Sequence, residues 1–260
     1  MTTAFETIAL SAPAPHVAVV TLNRPQAANA FNTRMALELT EAFLALKDER
    51  CVILTGAGER AFCAGADLRE RHGMSDEAWA AQHVVFEAMG RAILGAPMPV
   101  IAAVNGAAYG GGCEIALLCD IVHASETARF ALTEATLGIM PGLGATQTLT
   151  RAAGAGRAKQ VILTGAPFSA AEALAWGVVN QVAPSGRVLD GALDVAARIA
   201  ANAPLAVRAI KRAIDDGESL DLDRGMALEL EQYNRLFPTR DRLEGVRAFN
   251  EKRRPDFKGE

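Results

Sequence analysis

Metal-ligand spacing, a membrane-length apolar run and a surplus of positive charge are all missing from this chain of 260 residues. Its four histidines, His16, His72, His83 and His123, are scattered and form no HxH or HxxxH pair, which argues against a metal site. The four cysteines, Cys51, Cys63, Cys113 and Cys119, never fall at CxxC spacing and sit among apolar or glycine-rich neighbours. They read as reduced core thiols of a cytoplasmic protein. No apolar stretch approaches the roughly 18 residues that a membrane span needs. The start, MTTAFETIAL, has no basic region followed by an apolar block, so no secretory signal is expected. A formal net charge of −4 argues against a general nucleic-acid or anionic-membrane surface and leaves room for a local basic pocket. What the chain does have is a soluble globular composition, half hydrophobic and 22% charged, at a length that suits one large domain or a domain with an appendage.

Four β-branched runs ended by turn residues read as strands: HVAVVTL (16–22), CVILTG (51–56), PVIAAVNG (99–106) and IVHA (121–124). Between the first two, residues 32–47 carry apolar side chains at helical spacing behind Asn32, a suitable cap. GCEIALLCD reads as a short buried helix. Strand, loop and helix recur, joined by loops rich in glycine and alanine. That pattern predicts an α/β architecture with buried strands. After Pro184-Ser185-Gly186 the composition turns helix-forming, over 188–202, 206–215, 221–236 and 241–250. The expected organisation is therefore a core over 1–186 and a helical C-terminal region over 187–260.

Residues 107–120, AAYGGGCEIALLCD, place three glycines and one carboxylate, Glu114, before an apolar segment. Glycine-rich turns before helices cradle phosphates, permit close packing, or aim backbone N–H groups at a developing anion. The phosphate motifs do not fit, since no lysine follows the glycines and the GxGxxG register is absent. Packing and anion stabilisation both remain open. Burying a carboxylate without use is costly, which favours a chemical role for Glu114. In FALTEATLGIMPG (130–142) a short strand, Phe130 to Leu132, leads into a second carboxylate, Glu134. Two converging carboxylates can hold a water between a base and an acid. A helix N-terminal charge beside Thr133 is the competing reading for Glu134. In ERAFCAGADLRE (59–70), Ala64, Gly65 and Ala66 precede a turn into a helix at Asp67 and Leu68. An ordinary helix start capped near Asp67 is the simpler reading, and a second N–H opposite that of Gly111 is the functional one.

AFCAGADL (61–68), NGAAYGGGCEIALLCD (105–120), FALTEATLGIMPGLGATQ (130–147) and LTGAPFSAAEALAWGVVNQV (163–182), in that order, resemble the crotonase superfamily. The resemblance extends from LNRPQAANAFN (22–32) to FNEKRRPDFKG (249–259). It implies a right-handed spiral of ββα turns with a C-terminal helical region used in trimer formation, as a homotrimer or a dimer of trimers. The implied substrate is an acyl-coenzyme A thioester, with no metal, flavin or nicotinamide cofactor and neither nucleic acid nor membrane as partner. Matched residue by residue, the Ala66 and Gly111 amides would bind the thioester oxygen. Arg24, Ala64, Asp67, Leu68, Phe257 and Lys258 would contact the coenzyme, the last two from a neighbouring subunit. Glu114 and Glu134 match the paired glutamates of enoyl-coenzyme A hydratases, with Glu114 as base on water and Glu134 as acid to C2. The implied rivals are Δ3-Δ2 enoyl isomerisation and an RNA-binding relative. In such relatives the stretch 68–89 lines the acyl pocket. Trp79, Phe86 and Met89 would limit chain length there, although their helical spacing favours ordinary packing.

Overall fold

The computed structural model describes residues 5–260. In chain order, a hairpin of β1 (Ile8–Ala14) and β2 (Val17–Leu22) leads into α1 (Thr33–Ala45). Strands β3 (Cys51–Gly56) and β4 (Ala61–Cys63) follow, then α2 (Leu68–Arg71) and the long α3 (Asp76–Leu94). The next turn brings β5 (Val100–Val104), β6 (Ala107–Tyr109) and α4 (Gly111–Leu117). After it come β7 (Ile121–Ser125), β8 (Arg129–Ala131), α5 (Ala145–Ala153) and α6 (Ala155–Thr164). Short β9 (Phe168–Ser169), α7 (Ala170–Ala175) and β10 (Gln181–Ala183) close the core. Four helices end the chain: α8 (Val188–Ala200), α9 (Pro204–Gly217), α10 (Leu222–Asn234) and α11 (Arg240–Asn250).

The strands sort into two sheets. The larger has the order β1-β2-β3-β5-β7-β10 and the smaller β4-β6-β8-β9. From β3 to β8, each successive pair gives one strand to each sheet, and each sheet grows by parallel pairing with the turn before. Ile53 stands opposite Ile101, and Ile101 opposite Ile121, so equivalent residues stack from turn to turn. This is the ββα spiral that the resemblance implied. Among the described residues only β1–β2 and β8–β9 pair antiparallel, each at an end of its sheet.

Both faces of the large sheet are covered, which explains its uninterrupted apolar strands. Val52, Leu54, Val100 and Ala102 face the main core together with Phe43, Met89 and Phe130. Their neighbours Cys51, Ile53, Ile101 and Ala103 face Ala192, Ala196 and Ala200 of α8. Gly186 thus lies just before a helix that packs on the sheet. Beyond it, α9 to α11 leave large apolar side chains exposed, among them Ile214, Met226, Leu230 and Phe249. All four cysteines are buried as free thiols, and burial pushes those of Cys51 and Cys63 up to about 12.

Local chemistry sets the element ends near the motifs. Asn32 accepts the Met35 N–H at 3.0 Å and Ser75 accepts that of Ala78 at 3.3 Å, capping α1 and α3. Asp67 caps α2 through the Arg69 N–H, as the ordinary reading of that turn expected. Pro204 opens α9, where its missing N–H costs nothing.

Candidate active site

The loop 63–67 runs beside Phe31. Phe31 donates its N–H to the Gly65 carbonyl at 2.9 Å, and Asp67 donates to the Phe31 carbonyl at 2.8 Å. In extended backbone alternate N–H groups point to opposite sides, so the amide of Ala66 faces away from Phe31. Gly65 has φ +94°, and a Cβ there would lie 2.9 Å from the Tyr109 carbonyl oxygen and 3.2 Å from the Gly111 nitrogen. That close approach brings the loop and the start of α4 together. Gly112 shows the same constraint more severely, with a Cβ falling 2.0 Å from the Cys63 carbonyl oxygen. Close packing, one of the alternatives for these glycines, is met at Gly65 and Gly112. Neither the Ala66 nor the Gly111 N–H donates to an acceptor among the described residues. Both line one cavity of about 770 Å³.

Glu114 and Glu134 line that cavity too. Glu114 is 3% exposed, and its Oε1 accepts the N–H of Leu143 at 2.7 Å and of Ala145 at 3.1 Å. Burial raises its pKa, while backbone N–H donors from Ala145, Leu143 and Gly142 pull in the opposite direction. Glu134 is 7% exposed and begins a single 3-10 turn, Glu134–Leu137. Its Oε1 lies against Gly110, where a Cβ would be 3.3 Å away, and its buried Oε2 has no hydrogen-bond partner among the described residues. Burial, with the charge of Glu114, pushes this carboxyl up to about 7. Donors that favour the anion surround Glu114, and none reaches Glu134 Oε2. Burial raises both carboxyls, and the backbone donors oppose that rise at Glu114.

A profile of the enoyl-CoA hydratase/isomerase family matches residues 14–260. The chain is 45% identical over 247 residues to a Bacillus subtilis protein named putative enoyl-CoA hydratase/isomerase YngF, covering 94% of this chain and 95% of that one. It is 43% identical to the short-chain-enoyl-CoA hydratase of Clostridium acetobutylicum, with 92% of each covered. The crystal structure of an enoyl-CoA hydratase from Bacillus anthracis superposes with a TM-score of 0.96 at 44% identity, covering 98% of this chain and all of that one. The chain belongs to the enoyl-CoA hydratase/isomerase family.

In this family member, six of the residues singled out in the sequence meet at the cavity: Ala64, Ala66, Leu68, Gly111, Glu114 and Glu134. The other four do not line it. Arg24 is held by Asp67 at 2.8 Å and by the Ala30 carbonyl at 2.6 Å, so both charged groups face each other. Burial opposes the Asp67 charge, and the Arg24 hydrogen bond and charge together with the Arg69 and Glu70 backbone N–H groups outweigh it, leaving that carboxyl below its ordinary value. Phe257 lies in a separate apolar cavity with Tyr233, Phe237 and Gly245, and its carbonyl accepts from Arg50 at 2.7 Å. Lys258 pairs with Asp256 at 2.8 Å, while its N–H donates to Asp241.

Trp79 and Phe86 line the cavity, whereas Met89 is fully buried in the core. Sequence reasoning missed two side chains. His83, grouped there with the scattered histidines, lies against Gly142, the residue next to the Leu143 amide that holds Glu114. Arg71 also lines the cavity, though nothing in its surrounding sequence distinguishes it from a solvated helix charge.

Proposed function

We propose that this protein hydrates trans-2-enoyl-coenzyme A thioesters, adding water syn to give the 3-hydroxyacyl thioester. One observation supports this above all: two buried carboxyls, one held by backbone donors and one with an unpartnered oxygen, share a cavity with two unpaired backbone amides. The conjugated thioester is already electrophilic at C3, so polarising its carbonyl and positioning a water suffice, and no cofactor is called for. The Ala66 and Gly111 N–H groups would take the thioester oxygen. As the water oxygen bonds to C3, its proton passes to Glu114, and the π electrons move onto the thioester oxygen. Glu134 then gives its proton to C2 as the enolate collapses. Glu114 ends protonated and Glu134 ionised, and proton exchange through the next water restores the pair.

The relatives named as hydratases support the substrate class, and the exposed apolar faces of α9 to α11 fit the trimer or dimer of trimers. Roles for Arg24, Asp67, Phe257 and Lys258 at the coenzyme belong to the same proposal, with the last two acting at a neighbouring subunit's cavity. No helix among the described residues is long and apolar enough to cross a membrane, which suits the cytoplasmic assignment. The test is the ultraviolet absorbance of crotonyl-coenzyme A, which disappears on hydration. Rapid loss supports the reading. Turnover confined to a 3-enoyl thioester would make the protein an isomerase instead.

A further inference from the structure

The cavity contains one feature that hydration does not use. Arg71, at the end of α2, is half-buried and lies with its Cζ 4.0 Å from the centre of the Trp79 ring and 5.1 Å from that of Phe86. Its Nε donates to Gln82 Oε1 at 2.8 Å. Gln82 is itself only 5% exposed and is fixed at its other end, donating to Glu70 Oε2 and Thr33 Oγ1, both at 2.8 Å. Glu70 in turn accepts the Thr33 N–H at 2.9 Å. The guanidinium is therefore held by stacking on aromatic rings and by a buried amide, yet its two terminal amino groups make no hydrogen bond among the described residues. Leu68, Ala80 and Met140 share the cavity wall. A cation held rigidly among apolar groups is costly unless something supplies the opposite charge.

No acid hydrogen-bonds the terminal amino groups of Arg71 among the described residues. Glu87, which also lines the cavity, faces His83 at 3.5 Å and Arg91 at 3.6 Å on its own helix. Glu70 eases the burial of the Arg71 cation through its charge, but its hydrogen bonds go to Thr33 and Gln82. The position of Arg71 along the cavity follows from its neighbours. The Phe86 ring stands 4.8 Å from Phe31, edge to face, and Phe31 packs directly against Gly111. Arg71 is thus two rings away from the amide proposed to hold the thioester oxygen. An extended chain of roughly five or six carbons, with a hydrogen bond at each end, covers that distance.

We propose that Arg71 binds a carboxylate at the far end of the acyl group, so that the preferred substrate is a short dicarboxylic enoyl thioester. The planar guanidinium offers two free amino groups, the fork that matches a carboxylate bidentately. This rests on the hydratase reading of the same cavity, and a binding measurement separates the two. Glutaryl-coenzyme A and pentanoyl-coenzyme A have the same number of carbons and no double bond, and differ in ending with a carboxylate or a methyl group. Calorimetric titration of the full-length protein with each should give glutaryl-coenzyme A about 10- to 100-fold tighter binding, the range for a charge-assisted pair in a partly dry pocket. Arg71→Met should erase that ratio, and Arg71→Lys should retain part of it. Equal affinities in the native protein would overturn the proposal. So would an Arg71→Met loss that is as large for free coenzyme A, since the arginine would then serve the nucleotide phosphates. Crotonyl-coenzyme A hydration, followed in parallel, reports on the hydratase reading by itself: its absence with the glutaryl preference intact would remove the reaction and leave the carboxylate site.

Discussion

The Leu143 amide donates to Glu114 Oε1 at 2.7 Å, and this one bond joins the loop after the 3-10 turn to the helix that carries the first catalytic candidate. Together with the Ala145 N–H it opposes the rise that burial imposes on Glu114, while Glu134, whose Oε2 is unpartnered, is pushed up to about 7. In the proposed hydration this difference in surroundings divides the work between two chemically identical groups.

A pH profile follows directly. In the proposed mechanism Glu134 must be protonated to serve C2, and burial pushes its carboxyl up to about 7 in the folded protein. Hydration kcat/KM should therefore fall tenfold per pH unit well above 7, as the acid form is lost. At the acid end, protonation of Glu114 removes the base, so the profile should be bell-shaped. A rate that stays flat from pH 7 to 9 would contradict the assignment of Glu134 as acid.

The same shift has a stability consequence. Burial raises Glu134 from 4.5 to about 7, so the folded state favours the neutral form. That contribution is fully present below pH 4.5 and is lost as pH rises through 7. Glu134→Gln keeps the neutral shape at every pH. Thermal unfolding should show the variant matching the native protein at pH 4 and exceeding it at pH 8, by about 1–3 kcal/mol.

Two glycine substitutions should act in opposite directions. Gly112→Ala would drive a Cβ to 2.0 Å from the Cys63 carbonyl oxygen, where backbone must move, so soluble yield and unfolding temperature should drop sharply. Gly156, within α6, has nothing within 4 Å of its would-be Cβ. Gly156→Ala should therefore stabilise by about 0.5–1 kcal/mol, read from denaturant midpoints.

Lys211 on α9 ties that helix to the core through Asp120, which also accepts the Val100 N–H at 2.7 Å. Asp120 is only 21% exposed at its side chain, and burial pushes its carboxyl up. Lys211→Met leaves that charge with the Val100 amide and without its cation. The loss should be about 1–3 kcal/mol at pH 7, smaller at pH 4, and partly recovered by adding Asp120→Asn.

Much of the site was legible because its chemistry is local. The glycine turn, the carboxylate after it and the second carboxylate beyond β8 are short-range signals, while only the family resemblance, not their spacing, paired the two glutamates before any coordinates. The four inward strands were legible for the same reason, being apolar on both faces. The small sheet was not: β4, β6 and β8 have three residues each and β9 has two, too short for a period to show. Strand Phe130–Leu132 was accordingly placed one residue late. The ion pair of Arg24 with Asp67 spans 43 positions, and the Arg50 bond to Phe257 spans 207. Such pairings depend on how the spiral closes, which local pattern does not encode. Arg71 was invisible because only the return of α3 places Trp79 and Phe86 against it.

The most direct test of the paired-glutamate account is the rate of crotonyl-coenzyme A hydration by Glu114→Gln, Glu134→Gln and the double variant, with coenzyme A affinity measured alongside. Each single change should lower kcat by about 100- to 10,000-fold with coenzyme A binding retained, and the double variant should be little slower than the worse single one. Either single variant retaining near-native turnover would contradict a mechanism in which one water is shared between the two carboxyls.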